Sequence, residues 1–215
     1  MSIDERVRDP ERSSAIASEG LSSDVLSMIF LETLRQMFMS SDNFATHRMR
    51  YRNPPLLWSS DVAKSKIRII RAEDWKPQDE GMMPMLLVRS QGTTMAGLNI
   101  DGTIDPVEET IESPERIAYM VIGRVVLWAV SPDPNEANSI AWEAMLFYAA
   151  FSRPICQEHG IGKLSPAGVG PPVRLKEKKG VWGVPLTIAI QWQVTQELSE
   201  QQPVLSDIRT DMRFG

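Results

Sequence analysis

From residue 22 onward the chain carries a helical rhythm. Val25, Leu26, Ile29, Phe30, Leu34, Met37 and Phe38 recur at spacings of three and four, which puts them on one face of a helix. Ser23 or Asp24 can cap its start, and Ser40, Ser41 and Asp42 mark its end. A connection follows to Pro54 and Pro55. Ile67 and Ile69, set among arginines, predict a short strand. Residues 85–89 predict a second, and Gln91-Gly92 predicts a turn from which residues 93–100 return as its hairpin partner. Asp101-Gly102, Pro106, Pro114 and several acids make 101–114 a loop.

Residues 115–131 form a long run that is apolar at alternating positions on both sides except at Gly123 and Arg124. This predicts a long strand buried on much of both faces, with a bend or bulge at Gly123. Asp133-Pro134-Asn135-Glu136 predicts a helix start: Asp133 caps, Pro134 lacks only an N–H that would be unpaired anyway, and Glu136 can reach back to the cap. Ala137, Ile140, Ala141, Ala144, Phe147, Tyr148 and Phe151 continue one apolar face, Pro154 predicts a kink or end, and Gly160 a stop. Residues 160–172, rich in Gly and Pro, read as a loop. In 181–195 apolar residues alternate: Trp182, Val184, Leu186, Ile188, Ile190, Trp192 and Val194 share one face of a strand. Pro185 has no N–H to give a neighbour and so points to an edge position.

These elements predict an α+β fold, a mixed, mostly antiparallel sheet with two main helices packed on it. Residues 21–197 form its single domain. Residues 1–20 mix acids, arginines and serines with few large apolar side chains and are expected to be a mobile N-terminal arm, with 198–215, split by Pro203, as a C-terminal arm. No internal repeat is present.

With 42% hydrophobic and 24% charged residues, the chain can bury a core. Its formal charge of -5 argues against general nucleic-acid binding, which needs clustered cations to displace counterions, and suits a surface that DNA passes without sticking. Cys156 is the only cysteine, so an intramolecular disulfide and a four-thiolate metal site are excluded. The longest apolar stretch, 117–130, is interrupted by Arg124 and too short for a membrane helix.

The chemistry of catalysis is sparse. His47 and His159 have no second histidine at ligand spacing, no G-x-S-x-G pattern occurs, and Cys156 reads as a small buried hydrophobe. Gly160-Ile-Gly162-Lys163-Leu164-Ser165 lacks the glycine and hydroxyl that a phosphate loop needs. Asn99, Asp101, Asp105 and Glu108 fall at the third, fifth, ninth and twelfth places of a calcium loop, but Gly97 stands first and Pro106 opposes the exiting helix, so an acidic turn is the preferred reading. A small ion-binding module built on this loop is one rival function. An enzyme using scattered carboxylates such as Asp101, Asp105, Glu108 and Glu109 is another. No cofactor is called for.

Contact residues are easier to nominate. Arg48, Arg50 and Arg52, with His47 and Tyr51, can touch phosphates or an acidic neighbour, or form a solvated connection. Trp58, after Pro54 and Pro55, and Trp75, before Pro77, stand where an interface anchors itself on aromatic side chains. An N-terminal helix, the segments Arg71-Ala-Glu-Asp-Trp75 and Met83-Pro-Met-Leu-Leu-Val88-Arg-Ser90, a long strand ending in Val126-Leu-Trp128-Ala-Val130-Ser, the helix opened by Asp133 and a last apolar strand follow one another across residues 20–197. This order resembles that of the tail-terminator and neck proteins of tailed bacteriophages. The resemblance implies a structural, non-enzymatic virion subunit, assembled in the host cytoplasm as a closed ring, commonly a hexamer. Such a ring ends tail-tube growth and joins the tail to the head. Its partners would be copies of itself, the tail tube protein, the head-tail connector or other neck proteins and the sheath, with DNA passing through unread. A stopper or adaptor elsewhere in the neck is the nearest alternative.

Overall fold

In the computed structural model, residues 22–76, 84–97, 115–176 and 180–198 are described. The helical rhythm becomes α1, Ser23–Met37. Its cap is Ser22, one residue earlier than expected, whose hydroxyl accepts from the Val25 N–H at 3.3 Å. The basic connection is not free of structure: Thr46 caps a short helix α2, His47–Arg50. Then come β1, Arg68–Arg71; β2, Met85–Gly97; and β3, Glu115–Ser131. Helix α3 is Pro134–His159. Strands β4, Lys163–Val169, β5, Val173–Arg174, and β6, Trp182–Leu198, complete the described fold.

The six strands make one sheet in the order β1-β2-β3-β6-β4, with β5 beside β6. Among the described strands only the β1–β2 pair is parallel. The fold is therefore α+β on a mixed, mostly antiparallel sheet. Both proposed arms, and the acidic loop 101–114, lie outside the described residues.

The expected hairpin at Gln91-Gly92 does not form. Residues 85–97 run as one strand against β3, and Gly92 is an extra residue that shifts the register between Gln91 and Thr93. Its φ of 42° lies in the left-handed region that glycine adopts without strain. A Gln-Gly pair serves a turn or a bulge equally well; the unbroken 17-residue β3, offering a ladder along its length, favours the bulge. Gly123 on β3 is consequently not the irregular residue. A Cβ there would stand 3.0 Å from the Trp192 ring, so its bareness seats that indole.

Two more expectations fail for related reasons. Residues 163–169 are a strand rather than loop, because a second bulge, between Pro166 and Gly168, lets this Gly/Pro-rich segment pair with β6. That pairing puts β6 inside the sheet instead of at its edge. Pro185 is accommodated because its carbonyl accepts the Gly170 N–H at 2.8 Å. In an extended strand a residue's N and C=O point the same way, so the proline nitrogen also faces the side where pairing passes from β4 to β5 and is not needed by β3.

Helix α3 begins as predicted, with Asp133 accepting from the Asn135 N–H at 2.9 Å. Glu136 does not close a capping box, however. The Ser131 hydroxyl takes the Asp133 N–H instead, and Glu136 is held by Ser131 and by an ion pair to Arg52. Pro154 neither ends nor replaces the helix, which runs on to a left-handed Gly160. Buried Ile155 and the core contact of Cys156 hold that last stretch down.

Helices α1 and α3 cover one face of the sheet. Beneath them Val184, Leu186, Ile188 and Ile190 of β6 are completely buried with Leu86, Val125 and Leu127. The alternation read in 181–195 thus identifies the helix-covered face. Tyr148 of α3 packs on Phe30 of α1 with ring centroids 5.0 Å apart, and its hydroxyl pairs with Thr33 at 2.8 Å. On the opposite face the described residues cover only one end, where Met85, Leu87, Val130 and Val181 gather with Trp75, Trp128 and Leu175.

Candidate assembly surfaces

The arginine segment is positioned by a residue that sequence reasoning passed over. Glu143 of α3 is completely buried. Its carboxylate accepts from the Ala45 N–H, from the Thr46 N–H at 3.2 Å and from the Thr46 hydroxyl at 2.6 Å. A buried carboxylate is tolerable only when donors surround it, and here they are the start of α2, which Glu143 fastens to α3. On this platform Arg50 turns inward and donates to the Phe44 carbonyl at 3.1 and 2.7 Å. Arg52 pairs with Glu136. Arg48 points outward at the rim of a cleft of about 230 Å³ that it lines with Met49, Arg52, Asp133, Glu136 and Ser139. Exposed Tyr51 stacks on His47 at 4.4 Å. Of the three arginines, then, two are occupied inside the chain and Arg48 is left for a contact.

The two nominated tryptophans fall on opposite sides of the sheet. Trp58 packs against the helix-covered core, with the Arg35 guanidinium 5.3 Å above its ring. Trp75 packs on the small cluster of the other face, and its indole N–H is buried with no partner among the described residues. They do not form one patch with each other. Asn99, Asp101, Asp105 and Glu108 lie outside the described residues, and among those described no group of three His, Cys, Asp or Glu side chains could hold a metal ion. Burial pushes the Cys156 thiol above its ordinary pKa, against a smaller opposing hydrogen bond with the Leu164 backbone; it is a poor nucleophile in this setting. Among the described residues no helix is long and apolar enough to cross a membrane.

The largest surprise is the outer side of α3. Trp142 and Phe151 are 45% and 48% exposed. Beside Trp142 on the outer side, Ala149 and Ala150 are exposed and Leu146 half-buried, whereas Phe151, nine residues on, faces the other side of the helix. Phe151, expected in the core, instead stacks on Phe147 at 5.0 Å on the surface. Between residues 138 and 152 the only charged side chain is Glu143, and it is the buried one. A surface helix of this length normally shows a charged face to water; a helix apolar on both sides has something further to cover it. The signal was present in the sequence as 15 positions with one charge, but Phe147 and Phe151 satisfy a core face by spacing alone.

This apolar helix face and the open part of the sheet look out from opposite sides of the same layer pair. No protein-family model matches this sequence, and no curated protein is significantly similar to it.

Proposed function

We propose that the chain is a structural subunit that assembles with copies of itself into a closed ring at the head-proximal end of a phage tail, as a tail terminator. The observation that carries this reading is the uncharged outer face of α3, where Trp142, 45% exposed, stands with Leu146, Ala149 and Ala150. A large exposed aromatic set among small residues is a usual anchor of protein interfaces. A ring needs a heterologous contact, in which one surface meets a different one on the next copy, and the chain offers two distinct surfaces on opposite sides of its sheet. The order of elements across residues 20–197 supports the terminator assignment. In this role the subunit performs no catalysis; it ends tube growth, meets the tail tube protein on one side and the head-tail connector or another neck protein on the other, and lets DNA pass.

The test has two parts. Light scattering should give a multiple of the chain mass well above a dimer, and Trp142→Glu should reduce it to the monomer with an unchanged circular dichroism spectrum. Addition of the ring to polymerising tube protein of the same phage should shorten the tubes. Tubes of unaltered length would move the subunit to a different place in the neck, and a monomeric wild-type chain would dispose of the ring.

A further inference from the structure

On the open face of the sheet, three cross-strand rows are fixed by register. One holds Arg89, Val126 and Thr187; the next Gln91, Arg124, Ala189 and Ser165; the third Ile122, Gln191 and Lys163. Arg89, Arg124 and Lys163 are all exposed. None of these rows contains an acid, and none of the three cations makes an ion pair with a described residue. Arg89 and Arg124 are diagonal neighbours on adjacent strands, about 7–8 Å apart, where like charges repel. A protein with 28 acids against 23 basic residues has counter-charges to spare, yet none of the described acids stands in these rows. The cations are surrounded by Gln91, Gln191, Gln193, Thr187 and Ser165, which can add hydrogen bonds to a bound carboxylate.

The complementary charge lies in one stretch of the same chain. Residues 101–114 contain Asp101, Asp105, Glu108, Glu109 and Glu112 and no Lys or Arg. We propose that the Arg89–Arg124–Lys163 face receives the acidic segment 101–114 of a neighbouring copy. This rests on the reading of the chain as a self-assembling subunit.

Chain length limits how much of the segment can reach its own sheet. The segment joins Gly97 of β2 to Glu115 of β3. Arg124 stands nine residues into β3, while Glu108, Glu109 and Glu112 lie seven, six and three residues before it. Even fully extended, at about 3.4 Å per residue, their backbones stop short of Arg124. Asp105, eight residues from Gly97 and ten from Glu115, can draw level with Arg124 of its own sheet, and with Arg89 only with the limb from Gly97 pulled straight. A second copy, approaching head to tail, has no such restriction.

Charge exchange tests this directly. One variant carries Arg89→Glu with Arg124→Glu, the other Glu108→Lys with Glu109→Lys, and native mass is measured for each, for their equimolar mixture and for the chain with all four changes. The proposal predicts that each variant alone dissociates, with association weakened at least tenfold, and that the mixture and the fourfold chain both regain the wild-type mass. In the mixture each interface sets either the two introduced glutamates against the two introduced lysines or the native arginines against the native acids, so alternating rings close. If glutamates unfold the sheet, Arg89→Gln with Arg124→Gln supplies the dissociation arm. A wild-type mass for either variant alone overturns the proposal. So does recovery in the fourfold chain but not in the mixture, which would place the contact within one chain. Loss of binding to a labelled DNA duplex by the arginine variant, with its ring intact, would assign the face to phosphates and overturn it too. If Trp142→Glu dissociates the ring while both charge variants keep it, the ring reading stands and this inference falls; a monomeric wild type removes both.

Discussion

Glu143 offers the sharpest test of how the fold is held together. Replacing it with alanine removes an acceptor for the backbone N–H groups of Ala45 and Thr46 and for the Thr46 hydroxyl, all at a site where the carboxylate is sealed from water. Each buried donor left without a partner costs about 1–3 kcal/mol. Relaxation of the exposed Ala45 toward solvent should recover part of this, which leaves about 3 kcal/mol of destabilisation. Glu143→Gln keeps one acceptor oxygen but aims an NH₂ at donors, so it should recover less than half of that loss. Urea unfolding followed by tryptophan fluorescence measures both, and a double-mutant cycle with Thr46→Ala should show a coupling above about 1 kcal/mol. The loss should also release the α2 segment before the sheet melts, seen as faster hydrogen exchange at Thr46 to Arg50. A destabilisation by Glu143→Ala below about 0.5 kcal/mol, or no coupling to Thr46, would refute the claim that this carboxylate fastens α2 to α3.

Three further outcomes are expected. Desolvation raises the Tyr148 pKa well above its ordinary value against a smaller opposing hydrogen bond from Thr33; the folded protein therefore keeps a proton that the unfolded chain gives up, so stability is full below pH about 10 and falls above it. Tyr148→Phe should flatten that alkaline slope in pH-dependent denaturation. Ile188→Ala, at a fully buried position beneath the helices, should cost about 2–5 kcal/mol, whereas Trp182→Ala, half-buried at the strand end beside Arg174, should cost less; equal losses in thermal unfolding would mean that this face is not graded as described. Gly123→Val should destabilise by about 1–3 kcal/mol through collision with Trp192, and Trp192→Leu in the same chain should relieve part of it.

Where a signal was local, the sequence carried it. The alternation in 181–195 and the continuous apolar run of 115–131 survive as β6 and β3 because burial on a pleated strand repeats every second residue whatever lies opposite. Asp133-Pro134 opens α3 through geometry complete within three residues. The failures are decisions made by distant partners. Gln91-Gly92 became a bulge because β3 continued alongside it, and Pro185 became internal because β4 arrived on the side its nitrogen could spare. Glu143 and Trp142 are adjacent on one helix, yet the acid is buried and the indole exposed; only the arrival of the Ala45–Thr46 amides explains the inversion. The same holds for the arginines, where spacing gave a basic cluster but Phe44 and Glu136 took Arg50 and Arg52.

The central claim is that the outer face of α3 is covered by another copy of the chain. Native mass by light scattering, measured across a hundredfold range of concentration for the wild type and for Trp142→Glu, tests it most directly. The wild type should be a single species larger than a dimer and the variant a folded monomer. A wild-type chain that stays monomeric across that range, or a Trp142→Glu variant that keeps the wild-type mass, would contradict it.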